Sequence, residues 1–205
     1  MLPTVTRTLI IVNVIVFIAE LSLGGGFIYS FALWPIGTPQ SVAAPLGFQP
    51  WQIVTYSFLH DPFGYAHIFF NMLALFMFGG QLEHLLGAKR YLNLYFVSVI
   101  SAALAQLIVA AIIGGPPYPT LGASGGVFGL LLAYGVYFPN RMVMLIFPPI
   151  PMRAKWFVVL YGLLELVLGV TGAQANVAHF AHLGGMLGAW LLIRNWRGGG
   201  PKRWA

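Results

Sequence analysis

The sequence contains no cysteine and very few charged residues. Asp, Glu, Lys and Arg together make up 7% of its 205 residues, and four of these residues are acidic. Without cysteine, disulfides and thiolate metal sites are excluded. A soluble globular domain has about a quarter charged residues, so that class is excluded as well. Hydrophobic residues instead make up 59% of the chain, which indicates a protein with several membrane-spanning segments.

Six apolar stretches approach the length of a membrane crossing, for which about 20 residues is usual. We predict helices over residues 8–24, 66–86, 91–113, 124–138, 155–171 and 178–195. No small-residue cleavage site follows the first stretch, so an uncleaved anchor is favoured over a signal peptide. The predicted fold is all-α: a polytopic bundle of six transmembrane helices in one membrane domain, residues 1–205, with a flexible tail over about 198–205.

All ten basic residues fall before the first predicted helix or in alternate connections after it. They are Arg7, Lys89, Arg90, Arg141, Arg153, Lys155, Arg194, Arg197, Lys202 and Arg203. The positive-inside rule then places both termini in the cytoplasm and residues 25–65, 114–123 and 172–177 on the opposite side. Topology accounts for the net charge of +6, and no nucleic-acid partner is predicted. The expected location is the plasma (inner) membrane if the protein is prokaryotic.

A single serine stands among glycines where the fourth apolar stretch begins, in the segment LGASGGVFGL. Its surroundings also satisfy the Gly-x-Ser-x-Gly elbow of α/β-hydrolases, but the strand and sheet that this elbow requires are not predicted. The 15 residues from Ser124 to Phe138 make a helix of about 22 Å. Because the hydrocarbon layer is about 30 Å thick, this helix should begin below the outer surface, with Ser124 submerged.

A serine nucleophile needs a base within hydrogen-bond reach, and His182 is the predicted base. It lies roughly 8 Å into the sixth helix from the same side, at the depth of Ser124. His67 and Asn71, on one face of the second helix, add two donors for an oxyanion beside the N–H of Ser124. Small-x-x-x-small pairs predict a close crossing of the fourth and sixth helices; they involve Gly122, Gly125, Gly126, Gly129, Gly184 and Gly188.

Each of these residues has a simpler interpretation when taken alone. A Gly/Ser/Ala cluster in a membrane helix is more often a packing contact, and His182 or Asn71 can be a hydrogen-bonding residue between helices. His179 and His182 have the spacing of two metal ligands, but no acidic or cysteine partner accompanies them in the sequence. We therefore predict no metal and no cofactor. The common depth of nucleophile, base and donors favours catalysis, because independent packing roles would not require it.

Together these motifs resemble those of the rhomboid family of intramembrane serine proteases, over nearly the whole chain. The segments Gly122-Ala-Ser-Gly125 and Ala181-His-Leu-Gly-Gly185 are similar to the family's nucleophile and catalytic-histidine motifs. His67-Ile-Phe-Phe-Asn71 is similar to the His-x-x-x-Asn pair of its oxyanion region. Glu83-His-Leu-Leu-Gly87 resembles the Glu-x-x-x-Gly signature at the cytoplasmic end of its second helix. Six helices match the basic prokaryotic form.

Two positions depart from the family pattern. Gln52 follows Trp51 where the family often has an arginine, which puts any loop role of that arginine in doubt. Phe128 stands where a tyrosine often stacks on the catalytic histidine, so the ring is kept and the hydroxyl is lost. Neither change removes a catalytic group, and we expect an active enzyme.

The sequence indicates limited roles for the four acidic residues. Asp61 is expected to face solvent, so a Ser-His dyad is predicted rather than a triad. Glu83 should brace the cytoplasmic end of the second helix, with Lys89 or Arg90 as its partner. Glu20 and Glu165 are intramembrane carboxylates, which are functional candidates by default, but the sequence indicates no partner for either.

The resemblance implies cleavage of single-span membrane proteins in or near the bilayer. Substrate segments with weak helix formers should be favoured, because a helical peptide bond must unwind before it is cut. The alternative is a catalytically silent rhomboid-like protein that binds membrane clients as a chaperone. A small transporter or channel is a further alternative, although the inverted repeats typical of transporters are not found. The expected partners are transmembrane substrates and the lipid bilayer, and the oligomeric state stays open.

Overall fold

The computed structural model describes residues 1–40, 46–114, 117–144, 149–172 and 178–198. The predicted tail beyond residue 198 and most of the outer connection 172–177 lie outside these residues. The helices are α1 (Thr4–Leu23), α2 (Gly25–Phe31), α3 (Gln52–Thr55), α4 (Tyr65–Leu86), α5 (Ala88–Ile113), α6 (Ser124–Tyr137), α7 (Ala154–Thr171) and α8 (His179–Gly198). Helix α4 is continuous through a π-helical turn at Leu75–Gly79.

The six long helices begin and end within four residues of the predicted bounds. Four of them, α1, α4, α5 and α7, are long and apolar enough to cross a membrane. Helix α6 is apolar but has only 14 residues. Large apolar side chains lie on the outside, as at Leu163 and Val170, which are 57% and 73% exposed. This helical bundle therefore presents the surface of an integral membrane protein.

A short antiparallel hairpin connects α6 to α7 and was not predicted from the sequence. Its strands are β1 (Met142–Met144) and β2 (Pro151–Arg153), and Val143 pairs with Met152. Each strand has only three residues, which is too short for an alternating apolar pattern to appear.

Helices α5, α6 and α8 form the centre of the bundle, and glycines let their backbones approach closely. A Cβ atom at Gly185 on α8 would lie 2.0 Å from the carbonyl oxygen of Gly125 on α6. The predicted crossing of these two helices is therefore formed at this pair. Gly184 and Gly188, which were also assigned to that crossing, instead pack against Ser101 and its neighbours on α5. Sequence spacing identifies a small-residue face but not the helix opposite it.

Glu83 connects α4 to the start of α1. Its carboxylate accepts hydrogen bonds from the backbone N–H groups of Val5 and Thr6, at 2.9 and 2.7 Å, and from Thr6 Oγ1 at 2.8 Å. These N–H groups have no acceptor within their own helix, and a negative charge at a helix N-terminus is favourable. The predicted bracing role fits this position, but Lys89 and Arg90 as partners were wrong.

The segment between α1 and α4 folds over the start of α6 and is held by Gln52. This buried side chain accepts from the backbone N–H groups of Trp34 and Gln49, and it donates to the carbonyl of Gly47. The residue that departs from the family's arginine thus organises the loop through neutral hydrogen bonds. The N–H of Gly122 donates to the carbonyl of Tyr56, which joins this segment to the chain just before α6.

Candidate active site

Ser124 is the first residue of α6, and the chain reaches it through a close contact at Gly122. Gly122 has a φ of +127°, and a Cβ atom there would lie 2.7 Å from Nε2 of His67. No other residue type fits this backbone conformation and this space without strain. The glycine therefore brings the start of α6 directly against His67 on α4.

Ser124 and His182 lie within hydrogen-bond distance of each other. Oγ of Ser124 is 2.8 Å from Nε2 of His182, and His182 is 7% exposed. The ring of Phe128, one turn along α6, stacks on the imidazole with a centroid distance of 4.2 Å. A hydroxyl and an imidazole in this arrangement can act as a nucleophile and its general base.

Glu165 on α7 completes a cluster that the sequence reasoning missed. Its Oε2 atom is 2.8 Å from Nδ1 of His182 and 2.7 Å from Nδ1 of His179. The sequence indicated no partner for Glu165, and the structure gives it two, which the dyad prediction did not take into account. A signal was available: Glu165 lies six residues before the end of α7, about 9 Å deep, which matches the depth inferred for His182.

The same cluster bears on the metal prediction. The sequence shows no acidic residue next to the two histidines, but in the structure Glu165 joins them, so the prediction of no metal rested on a wrong premise. The three ligand atoms of Glu165, His179 and His182 lie within 4.8 Å of one another. Tetrahedral zinc holds nitrogen and oxygen ligands roughly 3.3 Å apart. The nitrogen–oxygen distances of 2.7 and 2.8 Å are instead those of direct hydrogen bonds.

His67 and Asn71 line the same cavity as Ser124 and His182. The Nδ2 atom of Asn71 donates one hydrogen to the carbonyl of His67 at 3.0 Å. An amide nitrogen carries two hydrogens, so a second donor remains on Asn71. Both predicted oxyanion donors therefore line the cavity that contains the predicted nucleophile.

The remaining acidic residues lie outside this cluster. Asp61 is exposed, and its carboxylate accepts from the backbone N–H of Phe63 at 3.0 Å. Glu20 is buried and accepts from the backbone N–H of His60 at 2.9 Å. The ring of His60 lies beside that of His67, with centroids 5.1 Å apart. Burial, and next to it the neighbouring His67, lowers the pKa of His60 to about 3.

A cavity of about 860 Å³ extends from Ser124 between α4, α6 and α7. Its lining is mainly apolar and includes Phe70, Met77, Leu131 and Tyr161. A volume of this size and character can hold a stretch of polypeptide with apolar side chains. Ser124 and His182 therefore line a cavity whose walls are mainly apolar.

Comparison with known proteins gives several matches. Residues 47–195 match the family model described as the Rhomboid domain. The chain is 34% identical over 140 residues to Rhomboid protein 1, mitochondrial, of Saccharomyces cerevisiae, covering 66% of this chain and 38% of that protein.

Two relatives come from Bacillus subtilis. Rhomboid protease GluP is 30% identical over 188 residues, which cover 91% of this chain and 33% of the relative. Putative rhomboid protease YdcA is 30% identical over 142 residues, covering 69% and 65%. The chain thus spans about a third of the length of GluP and about two thirds of that of YdcA. The family model covers well over half of the chain, and on this evidence the protein belongs to the rhomboid family.

Proposed function

We propose that this protein is an intramembrane serine endopeptidase that cleaves single-span membrane proteins in or near the bilayer. The observation that carries the proposal is the 2.8 Å contact between Ser124 Oγ and His182 Nε2, which both line a mainly apolar cavity. The names of the relatives GluP and YdcA, both called rhomboid proteases, support it.

The proposed topology follows the sequence prediction. Residues 1–205 form one membrane domain whose six long helices cross the bilayer, with both termini in the cytoplasm. The membrane is the plasma (inner) membrane if the protein is prokaryotic. The shortness of α6, with 14 residues, supports a position of Ser124 below the outer surface of the membrane.

The proposed chemistry uses the Ser-His dyad in two stages. Nε2 of His182 takes the hydroxyl proton of Ser124 while Oγ attacks the carbonyl carbon of the scissile peptide. The resulting tetrahedral species collapses as His182 returns the proton to the leaving amine, and an acyl-enzyme ester remains on Ser124. Water then attacks the ester with His182 again as base, which releases the new carboxyl end and restores the Ser124 hydroxyl.

The proposed oxyanion site combines the N-terminus of α6 with donors from α4. The backbone N–H of Ser124 belongs to the first turn of α6, where no acceptor is available within the helix. Asn71 contributes its second amide hydrogen and His67 a ring N–H. In a site sheltered from bulk water, such donors stabilise the charge that develops in the transition state.

The cavity supports a substrate that enters as an extended or unwound segment. Its lining is mainly apolar, and it also contains Ser124 and His182. A peptide in helical conformation has its carbonyl bonded within the helix, so weak helix formers near the cleaved bond favour cleavage.

A catalytically silent protein that binds membrane clients is the alternative function. Such a binder would need neither a nucleophile in contact with a base nor a ring stacked on that base. The contacts of His182 with both Ser124 and Phe128 therefore favour the enzyme.

The test uses the purified protein in detergent and in lipid vesicles. A fluorophosphonate probe should label the parent at Ser124, and single-span substrates with Gly or Pro near the membrane boundary should be cleaved. Ser124→Ala and His182→Ala should abolish cleavage, whereas Ser22→Ala should not, because this exposed serine of α1 bonds only its own helix. An unlabelled and inactive parent would support the client-binding alternative.

A further inference from the structure

We infer that Glu165 is a positioning residue for His182, so that a carboxylate on α7 completes a Ser124–His182–Glu165 relay. The inference deepens the proposed function and rests on it. Glu165 contacts His182 at Nδ1, and Ser124 contacts the opposite nitrogen, Nε2. The three groups come from three different helices and meet in one line of hydrogen bonds.

The carboxylate determines which nitrogen of His182 carries the proton. An ionised carboxylate only accepts hydrogen bonds, so Nδ1 must donate to it. A neutral imidazole has one donor and one acceptor, and Nε2 is then the acceptor that faces the hydroxyl of Ser124. This is the tautomer that a general base needs, and Glu165 selects it before substrate arrives.

Glu165 also stabilises the charged state of the base during the reaction. When His182 takes the proton of Ser124, a positive imidazolium forms 2.8 Å from Oε2. Glu165 and His182 are each only 7% exposed, so bulk water screens this attraction weakly. The interaction is stronger in the transition state than in the resting enzyme, which is the condition for a gain in rate.

His179 holds the carboxylate in place. Its Nδ1 atom is 2.7 Å from the same Oε2 atom that accepts from His182. His179 and His182 are separated by nearly one turn of α8. The Oε2 atom of Glu165 is therefore held by hydrogen bonds to two residues of α8. His179 therefore positions Glu165, and Glu165 positions His182.

If Glu165 only holds α7 against α8, a different result is expected. Its replacement would then change thermal stability and substrate binding, but it would have no specific effect on proton transfer. The experiment must therefore separate kcat from KM and must read the protonation of His182 directly.

The first arm compares Glu165→Gln with the parent. The amide can present its N–H group to Nδ1 of His182 and so favour the wrong tautomer. We expect kcat and the maximal rate of fluorophosphonate labelling to fall roughly 10²–10⁴-fold, with KM within about threefold. Glu165→Asp, which keeps the carboxylate on a shorter chain, should recover part of this loss. Glu20→Gln is the matched control, because Glu20 is a buried carboxylate outside the cluster, and it should retain the parent's rates.

The second arm observes the ring protons by NMR in protein labelled with ¹⁵N-histidine. We expect strongly downfield Nδ1 proton signals from His179 and His182, each lost in the corresponding histidine variant and both lost in Glu165→Gln. Proteolysis is not needed for this readout.

The outcomes separate the inference from the function on which it rests. An inactive parent refutes the proposed function. An active parent with an equally active Glu165→Gln variant refutes only the role of Glu165, as does a loss confined to KM or explained by a fall in thermal stability. Activity that disappears with a zinc chelator and returns with zinc would assign these residues to a metal and likewise overturn the inference.

Discussion

The rings of Phe128 and His182 lie parallel, with planes 4° apart and centroids separated by 4.2 Å. The imidazole is therefore in contact on three sides: a serine hydroxyl at Nε2, a carboxylate at Nδ1 and a phenyl ring over one face. Only the ring is needed for the third contact, which explains how the site accommodates the loss of the tyrosine hydroxyl at this position.

Replacing Phe128 tests the contribution of this stacking. Phe128→Leu keeps an apolar side chain but removes the ring, so the imidazole gains freedom to rotate away from Ser124. Aromatic pairs contribute about 0.5–1.5 kcal/mol beyond burial, which corresponds to a fall in kcat of up to roughly tenfold. Phe128→Tyr should keep the parent's kcat within about threefold. Steady-state cleavage of a single-span substrate measures both, and an unchanged kcat in Phe128→Leu would show that the ring does not position the base.

The contact between Gly125 and Gly185 predicts the effect of one methyl group. In Gly185→Ala the new Cβ would lie 2.0 Å from the carbonyl oxygen of Gly125, so α6 and α8 must separate. Overpacking of this kind costs about 1–3 kcal/mol. Because Ser124 and His182 lie on these two helices, activity should fall together with the midpoint of thermal unfolding. Gly26→Ala is the control, since its Cβ meets no atom within 4 Å. Equal melting temperatures for the two variants would contradict the close crossing.

Asn71 and His67 should act on the transition state rather than on substrate binding. Removing one oxyanion donor in a serine hydrolase lowers kcat on the order of 10²–10³-fold, and the loss should be smaller here if the remaining donors compensate. We expect Asn71→Ala and His67→Ala to lower kcat with little change in KM. The double variant should lose less than the product of the two single losses, because the donors serve one oxyanion. A rise in KM at constant kcat would identify these residues as substrate-binding groups instead.

The buried His60 predicts a loss of stability at acidic pH. Its pKa is about 3 in the folded protein, whereas an unfolded histidine has a pKa of about 6.5. Below pH 6.5 this histidine therefore binds a proton in the unfolded chain but not in the folded protein, and the contribution of His60 to stability falls as the pH falls towards 3. Between pH 7 and pH 5 the contribution is about 2 kcal/mol.

Thermal unfolding in detergent at several pH values measures this effect. His60→Phe should remove this contribution, so its stability relative to that of the parent should rise as the pH falls from 7 to 5, because a phenyl ring can occupy the buried site without taking up a proton. His84→Phe is the matched control, since His84 is exposed, and it should leave the pH dependence unchanged. Parallel pH curves for His60→Phe and the parent would contradict a buried neutral His60.

The long helices of this protein could be predicted from its sequence. Apolar runs of near-spanning length can form only helices in a membrane, because each backbone N–H and C=O must find its partner within the segment. This constraint is local, and so the predicted bounds lie within a few residues of the observed ones. Ser124 and His182 could be predicted as nucleophile and base for a related reason. Their glycine-rich surroundings and their similar distance from the ends of their helices can both be read from the sequence.

The partners of individual side chains depend on how the helices are arranged around one another. Helical spacing shows that Gly184 and Gly188 share a face, but only packing decided that this face lies against α5. Glu83 accepts hydrogen bonds from the N-terminus of α1 and not from a neighbouring basic residue. Its spacing in the sequence could not show this contact, because the donor N–H groups lie more than 70 residues away in the chain. Glu165 contacts His182 because α7 packs beside α8 and is rotated about its own axis so that this side chain faces α8. The position of a residue along its helix follows from the sequence alone. The rotation of each helix about its axis, and the helix that packs against each face, are decided only when all the helices pack together.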